Sequence, residues 1–153
     1  PALERLKQDA NDALTNLREL ARGIYPPLLA ADGLGVALQA QARKSAVPVE
    51  LRLDGIARQR PELEAAVYFC CLEALQNVAK YAQASRAEIM IATTDDRLRF
   101  EIADDGKGFD PISAKRSSGL QNMQDRVEVL GGDLSIESAP GAGTRIIGSI
   151  PLS

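Results

Sequence analysis

The chain has 153 residues, 45% of them hydrophobic and 25% charged, the composition of one soluble globular domain with a single good core. Its 18 basic residues are scattered among 21 acidic ones for a net charge of −3, so no broad basic face is evident to attract a nucleic-acid backbone, and no nucleic-acid partner is expected. No apolar run approaches the roughly 20 residues that span a bilayer and the first residues lack the apolar core of a secretion signal, so the chain reads as cytoplasmic.

Leu3, Leu6, Ala10, Ala13, Leu14, Leu17, Leu20 and Ala21 recur at three- and four-residue steps and predict an amphipathic helix over 2–22, stopped by Gly23 ahead of Pro26 and Pro27. Its apolar stripe belongs to a helical hairpin or dimer interface, or else docks onto the domain. Ala37, Leu38, Ala40 and Ala42 predict a second helix near 34–45, and residues 47–53 alternate as a half-buried strand ending at Asp54 and Gly55. Residues 61–82 form the strongest helical pattern, with Pro61 in the first turn and Glu62 and Glu64 near the positive helix start. Val67, Cys71, Ala74, Leu75, Val78 and Ala82 make its core-facing stripe. Cys70 and Cys71, adjacent within that helix, cannot bridge without strain or assemble a metal cluster, and read as buried, reduced packing residues. The period then changes to two: residues 87–93 and 97–103 read as strands of a hairpin turning at 94–96. After a polar stretch at 110–118 come a helix at 119–130, a stop at Gly131 and Gly132, and two strands, 133–138 and 144–151, joined through residues 140–143. This order predicts an α+β domain, a two-layer α/β sandwich with helices on one face of a mixed, mostly antiparallel sheet.

Four segments carry chemistry. Glu73, Asn77 and Lys80 lie along one stripe of the long helix, where a carboxylate, an amide oxygen and an ammonium suit a magnesium-phosphate or simply make a solvated edge. Asp104-x-Gly106-x-Gly108 comes directly after a strand: glycines let the backbone turn and lie close to a flat ligand, and Asp104 can accept a hydrogen bond from an exocyclic amine such as that of adenine. An ordinary glycine-rich turn is the competing reading; a calcium loop is disfavoured because the expected carboxylate spacing is missing. Ser117-Ser118-Gly119-Leu120 opens a helix whose free N–H groups suit phosphate, or is a serine cap. Gly141-Ala142-Gly143-Thr144 is a tight loop between strands, which by itself could be a plain hairpin turn.

In order and spacing these segments resemble the N, G1 and G2 boxes and the final glycine-threonine loop of the histidine-kinase ATP-binding domain, a Bergerat-type fold of the GHKL superfamily. Residues 73–82, Glu-Ala-Leu-Gln-Asn-Val-Ala-Lys-Tyr-Ala, look like the N box of sensor kinases that partner LuxR-type response regulators, and residues 22–29 resemble the stretch after the second helix of their dimerisation hairpin. The resemblance covers the chain from about residue 12 onward. It implies a domain at 26–153 that binds ATP with Mg2+, preceded at 1–25 by the remnant of that second helix, in the cytoplasmic part of a membrane-bound, homodimeric sensor kinase. Asp104 would be the adenine-binding carboxylate, Gly106 and Gly108 the pocket wall, and Thr144 a contact near adenine. Asn77 would hold magnesium together with Glu73, which as the catalytic residue would support the metal-bound water or polarise the reaction. Lys80 would meet phosphate, Gly119 would hinge a lid at 110–118, and Tyr81, Lys107, Ser118, Leu120 and Gly143 would complete the ATP contacts. Tyr81 departs from the family, which often has histidine there. The phosphoaccepting histidine is missing as well, since the chain contains none; it is expected on an earlier helix of the same kinase. A GHKL-type anti-sigma factor acting on serine is the second reading, and the Pro26-Pro27 junction after an amphipathic helix speaks against it. An ATP-driven clamp of the gyrase or chaperone kind would need a transducer domain that this length does not accommodate.

Overall fold

A computed structural model of the protein describes residues 27–54, 56–79, 83–108 and 118–153. The expected helix over 2–22, the end of the long helix at 80–82 and nearly all of the polar stretch at 110–118 lie outside these residues.

Nine elements run in chain order: α1 (Pro27–Asp32), α2 (Leu34–Lys44), β1 (Val49–Asp54), α3 (Pro61–Asn77), β2 (Ala87–Thr94), β3 (Arg97–Asp104), α4 (Ser118–Val129), β4 (Asp133–Ser138) and β5 (Thr144–Pro151). The five strands form one sheet in the order β1-β2-β3-β5-β4. Only β1 and β2 run parallel; the other three pairings are antiparallel. Alternation decides which side is covered. In β3, Leu98, Phe100 and Ile102 are buried while Arg99 is exposed, and in β5 Ile146, Gly148 and Ile150 are buried while Arg145 is exposed. The buried set faces α2 on β1, α3 on β3, and α4 on β4 and β5. The other face stays wet and is laced by ion pairs such as Arg52–Glu88 at 3.1 Å and Arg145–Glu101 at 2.9 Å. The sheet is therefore covered on one side, as the sequence pattern predicts.

The long helix is apolar over more of its circumference than the stripe expected for it: Leu63, Ala66, Tyr68, Phe69 and Cys70 are buried along with Val67, Cys71, Ala74, Leu75 and Val78. It lies between neighbours on several sides. The Tyr68 hydroxyl accepts from Gln41 of α2 at 3.0 Å, Phe69 carries the Arg126 guanidinium of α4 4.7 Å above its ring, and the Cys70 thiol lies 3.8 Å from the Met123 carbonyl. Burial pushes the Cys70 thiol up to about 12 and raises Cys71 well above its ordinary value. Both remain protonated, unreactive packing groups at neutral pH.

Two features depart from the sequence reading. The short helix α1 has no counterpart among the elements expected from the pattern. Arg58, 27 and 28 residues further along, donates to the Ala31 and Ala30 carbonyls at 3.3 and 3.2 Å and so satisfies the end of that helix. The same guanidinium pairs with Glu64 at 3.2 Å. Glu64 sits in the first turn of α3 as expected, and it is 4% exposed and also locks the loop before α3 to α1. The second departure is the end of α3, which stops its regular winding at Asn77, short of the expected residue 82, and passes into a wider π turn at Val78 and Ala79. Such turns inside helices are frequent at functional sites.

Candidate functional site

β3 ends at Asp104, where the chain must turn without a side chain in the way. The Asp104 carboxylate accepts from the Gly106 N–H at 2.9 Å, which bends the backbone back within two residues. Beyond this bend, Lys107 and Gly108 lie main chain against main chain on the loop between β4 and β5. The Gly141 N–H donates to the Lys107 carbonyl at 2.6 Å. A Cβ on Gly108, at φ +64°, would sit 2.1 Å from the Ala139 carbonyl oxygen, and one on Gly143, at φ +75°, would sit 2.2 Å from that of Asp104. The two glycine-rich segments, far apart in the sequence, are thus two halves of one backbone contact that only glycine permits. Thr144 stands opposite Asp104 in the β3–β5 register.

Asp104, Thr144, Gly143 and Ser138 line an open cavity of about 400 Å3 at this end of the sheet, together with Ala139 and Ala142. Asp104, Gly106, Lys107, Gly108, Gly143 and Thr144 are therefore gathered in one place. Glu73 and Asn77 occupy the last two turns of α3, four residues apart and both half-buried. Gly119 and Leu120 sit half-buried at the start of α4, with Leu120 packed against the core, and Ser118 is the first residue of that helix. Lys80, Tyr81 and the lid proper lie outside the described residues. Among the described residues no group of three or more His, Cys, Asp or Glu side chains forms a metal site. Magnesium carried with a nucleotide needs only one or two protein oxygens, which Glu73 and Asn77 suit by type and spacing.

Two residues at this junction take roles that the sequence reading did not assign. Asp105, next to Asp104, points the other way: it accepts from the Ser85 hydroxyl, the Ser85 N–H at 2.8 Å and the Arg86 N–H at 3.1 Å. The Ser85 hydroxyl first, and then the backbone N–H groups, hold its carboxyl below the ordinary value. It ties the chain ahead of β2 to the turn after β3. Ser138, the last residue of β4, reaches the Gly143 carbonyl and the Thr144 hydroxyl. Its residue type gives no signal, because a serine at a strand end is ordinary.

Asp104 behaves in the opposite sense to Asp105. Burial pushes its carboxyl above the ordinary 3.8 and the Asp105 charge adds to that, while the Gly106 and Thr144 N–H groups pull back. The native protein therefore binds the proton more tightly than the unfolded chain, and stability falls as pH rises from 3.8 through the raised value. At neutral pH the charge is held at a cost. Asp104→Asn keeps the shape and the acceptor towards Gly106 but removes that cost, so its melting temperature should equal or exceed that of the unchanged protein. ATP affinity should nevertheless drop by about 1–3 kcal/mol, the cost of a lost hydrogen-bond partner. In the unchanged protein, affinity should decline as pH falls through the raised Asp104 value, before an ordinary carboxylate would titrate. Thermal melts and calorimetric titrations across pH check both signs; a destabilised Asn variant with unaltered affinity would reverse the assignment.

The sequence pattern of the histidine kinase-, DNA gyrase B- and HSP90-like ATPase family matches residues 62–153, and the chain belongs to that family of ATP-binding domains. Within it, the chain is 33% identical to the signal transduction histidine-protein kinase/phosphatase DegS of Brevibacillus brevis, over 99% of this chain and 42% of that protein. It is 30% identical to the sensor histidine kinase MctS of Rhizobium johnstonii, over 99% of this chain and 34% of the other. The chain thus spans less than half the length of these relatives. Among solved structures, the blue-light activated histidine kinase EL346 of Erythrobacter litoralis superposes with a TM-score of 0.68 over 78% of this chain and 42% of that one, at 22% identity. The mycobacterial sensor histidine kinase MprB superposes with a TM-score of 0.56 over 75% of this chain and 89% of that one, at 21% identity. At those identities the likeness establishes the α+β sandwich. No helix among the described residues is long and apolar enough to cross a membrane.

Proposed function

We propose that the chain is the catalytic domain of a sensor histidine kinase and that it donates the γ-phosphate of ATP to a histidine carried on a dimerisation helix. The observation that carries the reading is the backbone contact between 104–108 and 139–144 with Asp104 and Thr144 side by side, in a domain that belongs to an ATP-binding family and contains no histidine. Asp104 accepts the adenine amine, Gly106 and Gly108 give the base a flat wall, and Thr144 bonds near it. Lys107 and Gly143 border the same base. Asn77 and Glu73 hold the magnesium that travels with the triphosphate, and that ion supplies charge neutralisation. Lys80 is assigned to phosphate and Tyr81 to the ATP contacts, while the N–H groups at Ser118, Gly119 and Leu120 bind phosphate oxygens at the positive end of α4. Gly119 hinges the lid at 110–118.

In the reaction the imidazole nitrogen forms a bond to the γ-phosphorus as the bond to the ADP oxygen breaks. The chain contributes alignment and charge neutralisation, which account for most of the acceleration in such transfers, and Glu73 polarises the attacking group. In this reading residues 1–25 comprise the remnant of the second hairpin helix and a linker, and the whole protein is a homodimer whose phosphohistidine serves a response regulator of the LuxR type. The resemblance of residues 73–82 to that class of N box supports this partner. A cytoplasmic position, in a protein anchored to a membrane elsewhere, accords with the need for ATP as donor.

The test uses γ-labelled ATP, magnesium and a separately supplied helical hairpin from the same kinase that carries its histidine. Acid-labile label should appear on the hairpin and none on the chain itself. Stoichiometric, acid-stable label on the chain alone would replace this reading with serine or threonine phosphorylation of the anti-sigma kind.

A further inference from the structure

We propose that Asp105 is a positioning residue for the adenine pocket: its carboxylate continues the β2–β3 ladder past the last strand pair and so holds Asp104 where it meets the exocyclic amine, an inference that rests on the nucleotide reading above. The β2–β3 pairing ends with Ala87 opposite Asp104, and one further step of that register would set Arg86 opposite Asp105. The step is not taken, because the Asp104 carboxylate accepts from the Gly106 N–H at 2.9 Å and bends the main chain away. Ala87 turns its N–H the other way, to the Pro48 carbonyl at 3.0 Å, so the N–H of Arg86 faces the gap that the departing strand leaves. Asp105 fills that gap with its side chain. Its Oδ1 accepts from the Arg86 N–H at 3.1 Å and the Ser85 N–H at 2.8 Å, and its Oδ2 accepts from the Ser85 hydroxyl.

Asp104, the last residue of β3, is thereby gripped on both flanks. On one side Thr144 pairs with it, and on the other Ala87 pairs with it and the Asp105 clamp closes the ladder just beyond. A ladder end with nothing beyond it frays, and hydrogen bonds to an ionised acceptor resist fraying better than neutral ones. Fraying at this end would move Asp104 away from Thr144. Gly108 and Gly143 would stay, because the loop between β4 and β5 holds their side of the pocket through its own main-chain bonds. The charge of Asp105 works against its bonds, since a like charge beside Asp104 disfavours the ionised, accepting form. Asp105 is exposed, so solvent weakens that repulsion and the loss of position outweighs it. Removing the Asp105 carboxylate therefore costs the amine contact in particular.

The probes are ATP and purine riboside triphosphate, which carries hydrogen in place of the 6-amino group and so gives Asp104 nothing to accept. Both are titrated with magnesium by calorimetry into the protein, Asp105→Ala, Asp105→Asn and Ser85→Ala. The unchanged protein should favour ATP, and Asp105→Ala should narrow the ratio by about three- to tenfold through weaker ATP binding, with the analogue nearly unmoved. Asp105→Asn keeps the one oxygen that takes both N–H groups and should keep most of the ratio. Ser85→Ala removes only the hydroxyl and should narrow the ratio in the same sense but less, and this variant decides the matter if Asp105→Ala does not fold. An equal loss of both nucleotides in Asp105→Ala would mean general loosening and overturn the proposal. So would tighter ATP binding in that variant, an Asn variant as impaired as the Ala one, an unmoved ratio in Ser85→Ala, or equal affinity for the two nucleotides in the unchanged protein. Failure of the unchanged protein to bind either nucleotide is a separate result, and it would remove the ATP reading itself and this proposal with it.

Discussion

Gly143→Ala is expected to lower ATP affinity at least about tenfold and to destabilise the protein by about 1–3 kcal/mol, because overpacking and a left-handed backbone both oppose it. The obstacle is specific. The new Cβ would lie 2.2 Å from the Asp104 carbonyl oxygen, an atom of the β3 main chain that is held in the sheet and cannot swing aside. Relief requires β5 or the loop before it to move away from Asp104, and that movement separates Thr144 from Asp104. The control sits two residues earlier. Gly141 has a similar φ of +80° but nothing within 4 Å of its would-be Cβ. Gly141→Ala should therefore show only the backbone penalty of roughly 1–2 kcal/mol, with ATP affinity within about threefold of the unchanged protein. Paired thermal melts and nucleotide titrations of the two variants measure the difference; equal behaviour would mean that close approach at Gly143 does not matter.

The largest loss of stability is expected at Gly148→Ala. Gly148 lies in the middle of β5 opposite Phe100, and a Cβ there would come within 2.1 Å of the Phe100 ring. Phe100 is fully buried, so the ring has no space to retreat into without displacing the helices above it. A cost of about 3 kcal/mol is expected, at the upper end of what inserted methyl groups do in cores. Phe100→Leu in the same chain should recover part of it, since the smaller side chain vacates the volume the methyl needs. Denaturant unfolding of the single and double variants checks this; a Gly148→Ala protein as stable as its parent would show that the ring is mobile.

Those two glycines also show how far the sequence can be read. Strands β3, β4 and β5 are legible because a sheet covered on one side imposes strict alternation, which Leu98, Phe100 and Ile102 display against Arg97, Arg99 and Glu101. Gly143 announces itself within a short motif. Gly148 does not, since its reason lies across the sheet in the Phe100 ring. The parallel pairing of β1 with β2 has no local signature at all. Helix α1 is six residues long, and its end is satisfied by Arg58, far beyond any local window. Asp104 and Asp105 are chemically identical neighbours, so sequence alone gives no physical ground for their opposite directions. Strand alternation turns one towards Thr144, and Ser85 captures the other. Ser138 is silent in the sequence because its contacts, the Gly143 carbonyl and the Thr144 hydroxyl, lie across the turn between β4 and β5.

The proposed seat of adenine is the junction where residues 104–108 meet residues 138–144. A second cavity of about 360 Å3 lies elsewhere, lined by Gly33, Leu53, Arg58 and Glu64 among others, and would serve as the competing location. Backbone amide resonances followed by NMR during an ATP titration separate the two directly. Concentrated shifts are expected at Asp104, Gly106, Gly108, Gly143 and Thr144, with the amides of Gly33, Arg58 and Gln59 unmoved. Shifts centred on Gly33, Arg58 and Gln59, with Asp104 and Thr144 silent, would contradict that placement.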